Sequence, residues 1–102
     1  MLTSVNNKYK LPGWEQNSRC VYIGRPGPWG NPYVIGRDGD RAEVIRKFRK
    51  DFNLAILFPE GQWGFKSVER LRGKILICFC FPQECHGDVI ADYLNTGKIK
   101  PV

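Results

Sequence analysis

At 102 residues with 42% hydrophobic content, the chain is sized for one compact domain with a real core and not for two. Sixteen Lys and Arg against ten Asp and Glu give a net charge of +6 and a pI near 9.4, which favours anionic partners such as nucleotides, nucleic acid or an acidic protein. No apolar run reaches bilayer-spanning length and the N-terminal residues lack the basic region and apolar segment of a secretory signal, so no membrane role and a cytoplasmic location are expected, with free or metal-ligating thiols rather than disulfides.

Residues 1–18 carry Asn, Lys, Pro and Gly among scattered apolar positions and read as an irregular N-terminal arm, pinned by Leu11 and Trp14 to a single α/β domain at 19–102. Residues 20–23, Cys-Val-Tyr-Ile, are a short β-favouring run ended by Gly24 and predict the first strand. The segment at 25–33 packs three prolines and two glycines into nine residues, a stiff preformed loop that displays Arg25, Trp29 and Asn31 around Gly30. A short strand is expected at 33–35, followed by a turn at 36–39.

Asp40 with Glu43 has the spacing of a capping box, so a long helix begins near Arg41. Its apolar face is Ile45, Phe48, Phe52 and Ile56, flanked by Val44 and Ala55. The basic residues Arg41, Arg46, Lys47, Arg49 and Lys50 read as its solvated surface. The helix stops before Pro59, a loop follows at 60–64, and residues 66–71 suit a second, short helix.

The chemistry concentrates at 77–88, which holds three of the four cysteines and the only histidine. The apolar run at 75–80 is too short for a helix and reads as a strand buried on both faces. Residues 87–94 then place Val89, Ile90, Tyr93 and Leu94 on one side of a C-terminal helix that Gly97 stops. Cys85, His86 and Asp88 therefore sit at a helix N-terminus, where unpaired N–H groups and the dipole favour phosphate and thiolate.

Strand, helices, strand and helix in that order predict a βαβ-type crossover with a parallel strand pair. The loops after the two strands then face each other at the C-terminal edge of the sheet, where open α/β folds bind ligands. One loop offers Arg25, Trp29, Gly30 and Asn31, the other Cys80, Cys85, His86, Gly87 and Asp88. Arg suits phosphate, Trp a flat base, and Asn or Asp a ribose hydroxyl or base edge. Any turnover there is expected to be transfer or hydrolysis at a nucleotide or nucleoside. Cys85 or His86 would react, with the Cys85 pKa lowered by the helix and His86, and Asp88 would orient. The same segment admits a zinc reading with Cys78, Cys80, Cys85 and His86 as ligands, although adjacent Cys85 and His86 diverge by about 100° on a helix. Bland readings stand beside these: Cys78 a small buried hydrophobe, Asp88 a dipole-complementing residue, His86 a packing residue, Trp29 a loop anchor and Asn31 a turn cap.

Several segments together resemble a known family. These are Tyr22-Ile-Gly-Arg-Pro with Trp29-Gly-Asn-Pro, Ile35-Gly with Asp38-Gly, Arg41 and Val44-Ile45, Leu71-Arg-Gly-Lys74, and Cys78-x-Cys80-x-Pro82-x-x-Cys85-His-Gly-Asp88. The match, over roughly 20–95, is to a bacterial and phage family catalogued as domain of unknown function 4326. The resemblance implies that both loops belong to one signature and that a phage origin is plausible. Three functions are thus expected in order: binding of a phosphorylated, nucleotide-like small molecule, a nucleic-acid-binding or host-protein-inhibiting module using the basic surface, and a structural zinc module.

Overall fold

A computed structural model describes residues 2–25, 27, 29–58, 65–80 and 83–102, without the side chains of 65–67. The expected loop at 60–64, and Pro26, Pro28, Phe81 and Pro82 of the two signature loops, lie outside the described residues. Among those described, three short strands, β1 (Ser4–Asn7), β2 (Cys20–Tyr22) and β3 (Ile75–Cys78), form a parallel sheet in the order β1-β3-β2. β3 is central because its sequence, Ile-Leu-Ile-Cys, tolerates burial on both faces: Leu76 and Ile77 are fully buried and Cys78 nearly so. The chain passes from β2 to β3 through helix α1 (Arg41–Leu57) and a 3-10 helix (Phe65–Leu71), then closes with helix α2 (His86–Thr96). This is the expected small α/β domain with a parallel βαβ pair and a C-terminal helix.

The segment at 1–18 is not wholly irregular. β1 pairs with β3 from Ser4 opposite Ile75 to Asn7 opposite Cys78. Its sequence, Ser-Val-Asn-Asn, has little apolar alternation, so what holds it is distant. The Thr3 N–H donates to Asn95 Oδ1 at 2.8 Å, Asn95 Nδ2 donates back to the Thr3 carbonyl at 2.8 Å, and Thr3 Oγ1 accepts from Gly73 N–H at 2.9 Å. Trp14 anchors the following segment as expected, stacking on Tyr22 with ring centroids 6.0 Å apart.

α1 begins where the capping box puts it, with the Asp40 carboxylate accepting the Glu43 N–H at 2.9 Å. It buries Val44, Ile45, Phe48, Phe52 and Ala55 against Ile23, Leu76, Cys78 and the α2 residues Val89, Ile90 and Leu94. α2 ends at Gly97, whose φ of 71° is the left-handed conformation that a C-cap glycine supplies without a Cβ penalty. Residues 33–35 form no strand. The Val34 N–H goes to Asp38 Oδ2 at 2.8 Å and the Val34 carbonyl to the Arg37 and Asp38 amides, so a local turn consumes the groups a ladder would need. β3 likewise ends at Cys78 rather than Cys80. Among the described residues no helix is long and apolar enough to cross a membrane.

Candidate functional site

The C-terminal ends of β2 and β3 open into a cleft of about 320 Å³ between the loop after β2, the start of α1 and the segment that joins β3 to α2. Arg25, Asn31, Tyr33, Arg41, Phe79, Cys80, Gln83 and Glu84 line it, with Cys85 and His86 at its inner end. The parallel pairing thus brings together the two loops that the crossover predicts.

The first wall is built by successive turns, with Gly27 N–H donating to the Gly24 carbonyl at 3.0 Å and Gly30 N–H to the Gly27 carbonyl at 3.1 Å. Gly30 is needed for this path: a Cβ there would lie 3.0 Å from both Cγ and the backbone nitrogen of Arg25. Asn31 fastens the loop to α1, its Nδ2 donating to the Val44 carbonyl at 3.1 Å while its Oδ1 accepts the Tyr33 N–H at 2.9 Å. Trp29 packs half-buried against the core, and its Nε1 is buried with no hydrogen-bond partner among the described residues. Arg25 is exposed; its carbonyl accepts from the Tyr22 hydroxyl at 3.4 Å, and its guanidinium has no hydrogen-bond or ion-pair partner among the described residues. Arg41, in the first turn of α1, reaches the other wall, its Nη1 donating to the Glu84 carbonyl at 3.2 Å.

The second wall carries the thiols. Cys78 and Cys85 face each other with Sγ atoms 3.5 Å apart, both buried. The Cys78 thiol, and then burial, push the Cys85 pKa well above the ordinary thiol range. The lowered pKa expected from the helix start and His86 is therefore not found. The Gly87 N–H does act in the expected direction, but a hydrogen-bonded thiol neighbour in a dry site outweighs it.

His86 is 8% exposed and turned toward the sheet, with Nε2 2.8 Å from the Ile23 carbonyl and its ring edge-on to Phe48 at 5.1 Å. A carbonyl only accepts, so Nε2 carries the proton, and the Trp29 main chain also hydrogen-bonds the ring. Burial lowers the His86 pKa and keeps the ring neutral, with the Arg25 charge acting in the same direction. Asp88 is exposed and its carboxylate accepts the Cys85 N–H at 3.1 Å, the reciprocal half of a capping box. Gly87 is buried where a Cβ would come 2.8 Å from Ile23 Cδ1.

The four proposed zinc ligands are not gathered. Cys78 and Cys85 meet, Cys80 lines the cleft and His86 Nε2 is held by Ile23; among the described residues no group of three His, Cys, Asp or Glu side chains has metal-holding geometry. Tyr33, Arg41, Phe79, Gln83 and Glu84 also line the cleft, with no role expected from the sequence. Arg41 was readable as solvated helix surface, and its position in the first turn after the Asp40 cap is the one local sign that it faces the loops. Tyr33 is oriented by its hydroxyl, which donates to the Asp51 carboxylate, 18 residues away in sequence.

The model of the family described as Domain of unknown function (DUF4326) matches residues 6–96, a span that includes both walls of the cleft. The chain belongs to this family. It is also 40% identical over 95 residues to the "Uncharacterized 12.4 kDa protein in nrdA-td intergenic region" of Enterobacteria phage T4, covering 92% of this chain and 79% of that protein. No solved structure matches it. The family signature thus divides between packing and display: Gly30, Asn31, Cys85, His86 and Gly87 build the walls, and Arg25 and Cys80 face the cleft.

Proposed function

We propose that this protein binds a small phosphorylated, nucleotide-like ligand in the cleft between residues 24–35 and 78–86. The observation that carries the reading is the Arg25 guanidinium, without a hydrogen-bond or ion-pair partner among the described residues, at a cleft that Arg41 and the half-exposed ring of Phe79 also line. An arginine fork matches phosphate geometry in two parallel hydrogen bonds, and an aromatic face accepts a base. Gln83 and Glu84 supply acceptors and donors for a base edge or ribose hydroxyls.

The first turn of α2 contributes less to phosphate than a free helix start does, because the Asp88 carboxylate already takes the Cys85 N–H. Arg25 and Arg41 therefore hold the anion. Binding is favoured over turnover, since the Cys85 thiol is buried with a raised pKa and His86 is held by the sheet. A scavenger or sensor of a nucleotide signal needs such a pocket and no reactive group.

The test is a thermal-shift screen of metal-checked protein against nucleotides, nucleosides, cyclic dinucleotides and ADP-ribose derivatives, repeated with Arg25→Ala. A ligand at a hundred times its Kd stabilises the native state by about 2.7 kcal/mol, roughly 10–20 °C for a chain of this size. One ligand class is expected to raise the melting temperature of the parent and to lose that effect in Arg25→Ala. No shift with any phosphorylated ligand, or an equal shift in the variant, overturns the reading.

A further inference from the structure

We infer that Lys8, Tyr9, Trp14, Tyr22 and Phe79 form a stacking platform for single-stranded nucleic acid, adjoining the cleft and sharing the Phe79 ring with it. The sheet register creates it. Asn7 lies opposite Cys78, so the next residues, Lys8 and Phe79, leave the sheet side by side, and the Lys8 N–H donates to the Cys78 carbonyl at 2.7 Å. Tyr22, at the end of β2, is in register with Ile77, and Trp14 stacks on it at an interplanar angle of 28°.

The Lys8 ammonium stands among three rings, 5.0 Å from the Tyr9 centroid, 5.7 Å from Phe79 and 5.8 Å from Tyr22. Tyr9 is 77% exposed and Phe79 49% exposed, so two of these rings offer open faces. Large exposed aromatics gathered around one cation are unusual on a monomer surface and are the parts from which sequence-tolerant single-strand sites are made.

The occupant follows from charge and shape together. Lys8 and the exposed Lys10, on a chain of net charge +6, favour a polyanion. Open ring faces favour flat, unpaired bases, which a duplex hides in its stack. A depression between Lys8, Tyr9 and Trp14 lies within the platform. Glu15 also lines it and disfavours phosphate there, so the strand's backbone contacts fall to Lys8 and Lys10.

Fluorescence anisotropy with a labelled oligothymidylate of about 12 nucleotides, within the site sizes of stacking domains, tests the inference. The parent is expected to bind the single strand more tightly than a duplex of equal length, and to weaken steeply from low to physiological salt. Tyr9→Ala should weaken binding by about 5- to 100-fold and Lys8→Ala should flatten the salt dependence. Lys8 and Tyr9 lie outside the cleft lining, so Tyr9→Ala should leave the small-ligand thermal shift in place. Equal affinity for duplex, no binding at low salt, or a Tyr9→Ala protein that melts and binds like the parent overturns the platform and leaves the cleft reading standing.

Discussion

His86 shows how a residue that looks catalytic in sequence becomes a fastener in space. Its ring joins the end of β2, through the Ile23 carbonyl, to the Trp29 loop and to Phe48 of α1. Burial, with help from Arg25, lowers its pKa, while Asp88 and the Ile23 and Trp29 main chains oppose the shift. A depressed pKa means that the folded state prefers the neutral ring. Its contribution to stability is present above the ordinary value of about 6.5 and is lost as pH falls through the lowered value. Because the chain has one histidine, its ring proton is unambiguous in NMR spectra. It should titrate below about 6.5, and the fall in urea midpoint on acidification should be shallower in His86→Gln. A midpoint at or above that value would show a charged, solvated ring. Cys85 carries the same lesson: its neighbours in the chain suggested an activated thiol, whereas its neighbour in space, Cys78, makes it a reluctant one.

Among the elements, α2 depends on how closely its first turn approaches the sheet. Gly87 lies where a Cβ would meet Ile23 Cδ1 at 2.8 Å, Cys85 Sγ at 3.3 Å and Val5 Cγ1 at 3.4 Å. Ile23 is fully buried and cannot swing aside. Gly87→Ala should therefore destabilise by about 1–3 kcal/mol in urea unfolding, the range for overpacked cores, although alanine is the better helix former. An unchanged or raised midpoint would mean that α2 sits further from β2 than described. The caps at both helices were legible because they are local: Asp40 with Glu43, and Gly97 after Thr96, are read within a few residues. Residues 33–35 misled because β-favouring side chains say nothing about where the backbone bonds go, and Asp38 takes the Val34 amide.

At the scale of the whole molecule, the N-terminal residues complete the fold. β1 supplies the edge beside β3, Val5 packs on the core, and the paired bonds between Thr3 and Asn95 tie the first strand to the last helix. Deleting residues 2–7 removes an edge strand and leaves β3 unpaired on one side. The melting temperature followed by circular dichroism should fall by about 10 °C or more, since each lost kcal/mol costs roughly 4–8 °C in a domain of this size. A truncated chain that melts like the parent would show that the arm merely decorates the sheet.

What the sequence determined by itself was whatever depends on nearest neighbours or on pattern. That includes the buried strand from Ile75, though not its end at Cys78, the capped helix starting near Arg41 and ending before Pro59, the stop at Gly97, the parallel crossover, and hence the meeting of the two loops at one sheet edge. The tertiary structure alone decided which members of the signature face outward. The side chains of Asn31 and His86 fasten backbone carbonyls 13 and 63 residues away, and a polar strand at 4–7 is secured by bonds spanning 92. Such contacts leave no trace in local composition, because a buried polar group is satisfied by whatever the fold brings to it and not by what precedes it in the chain.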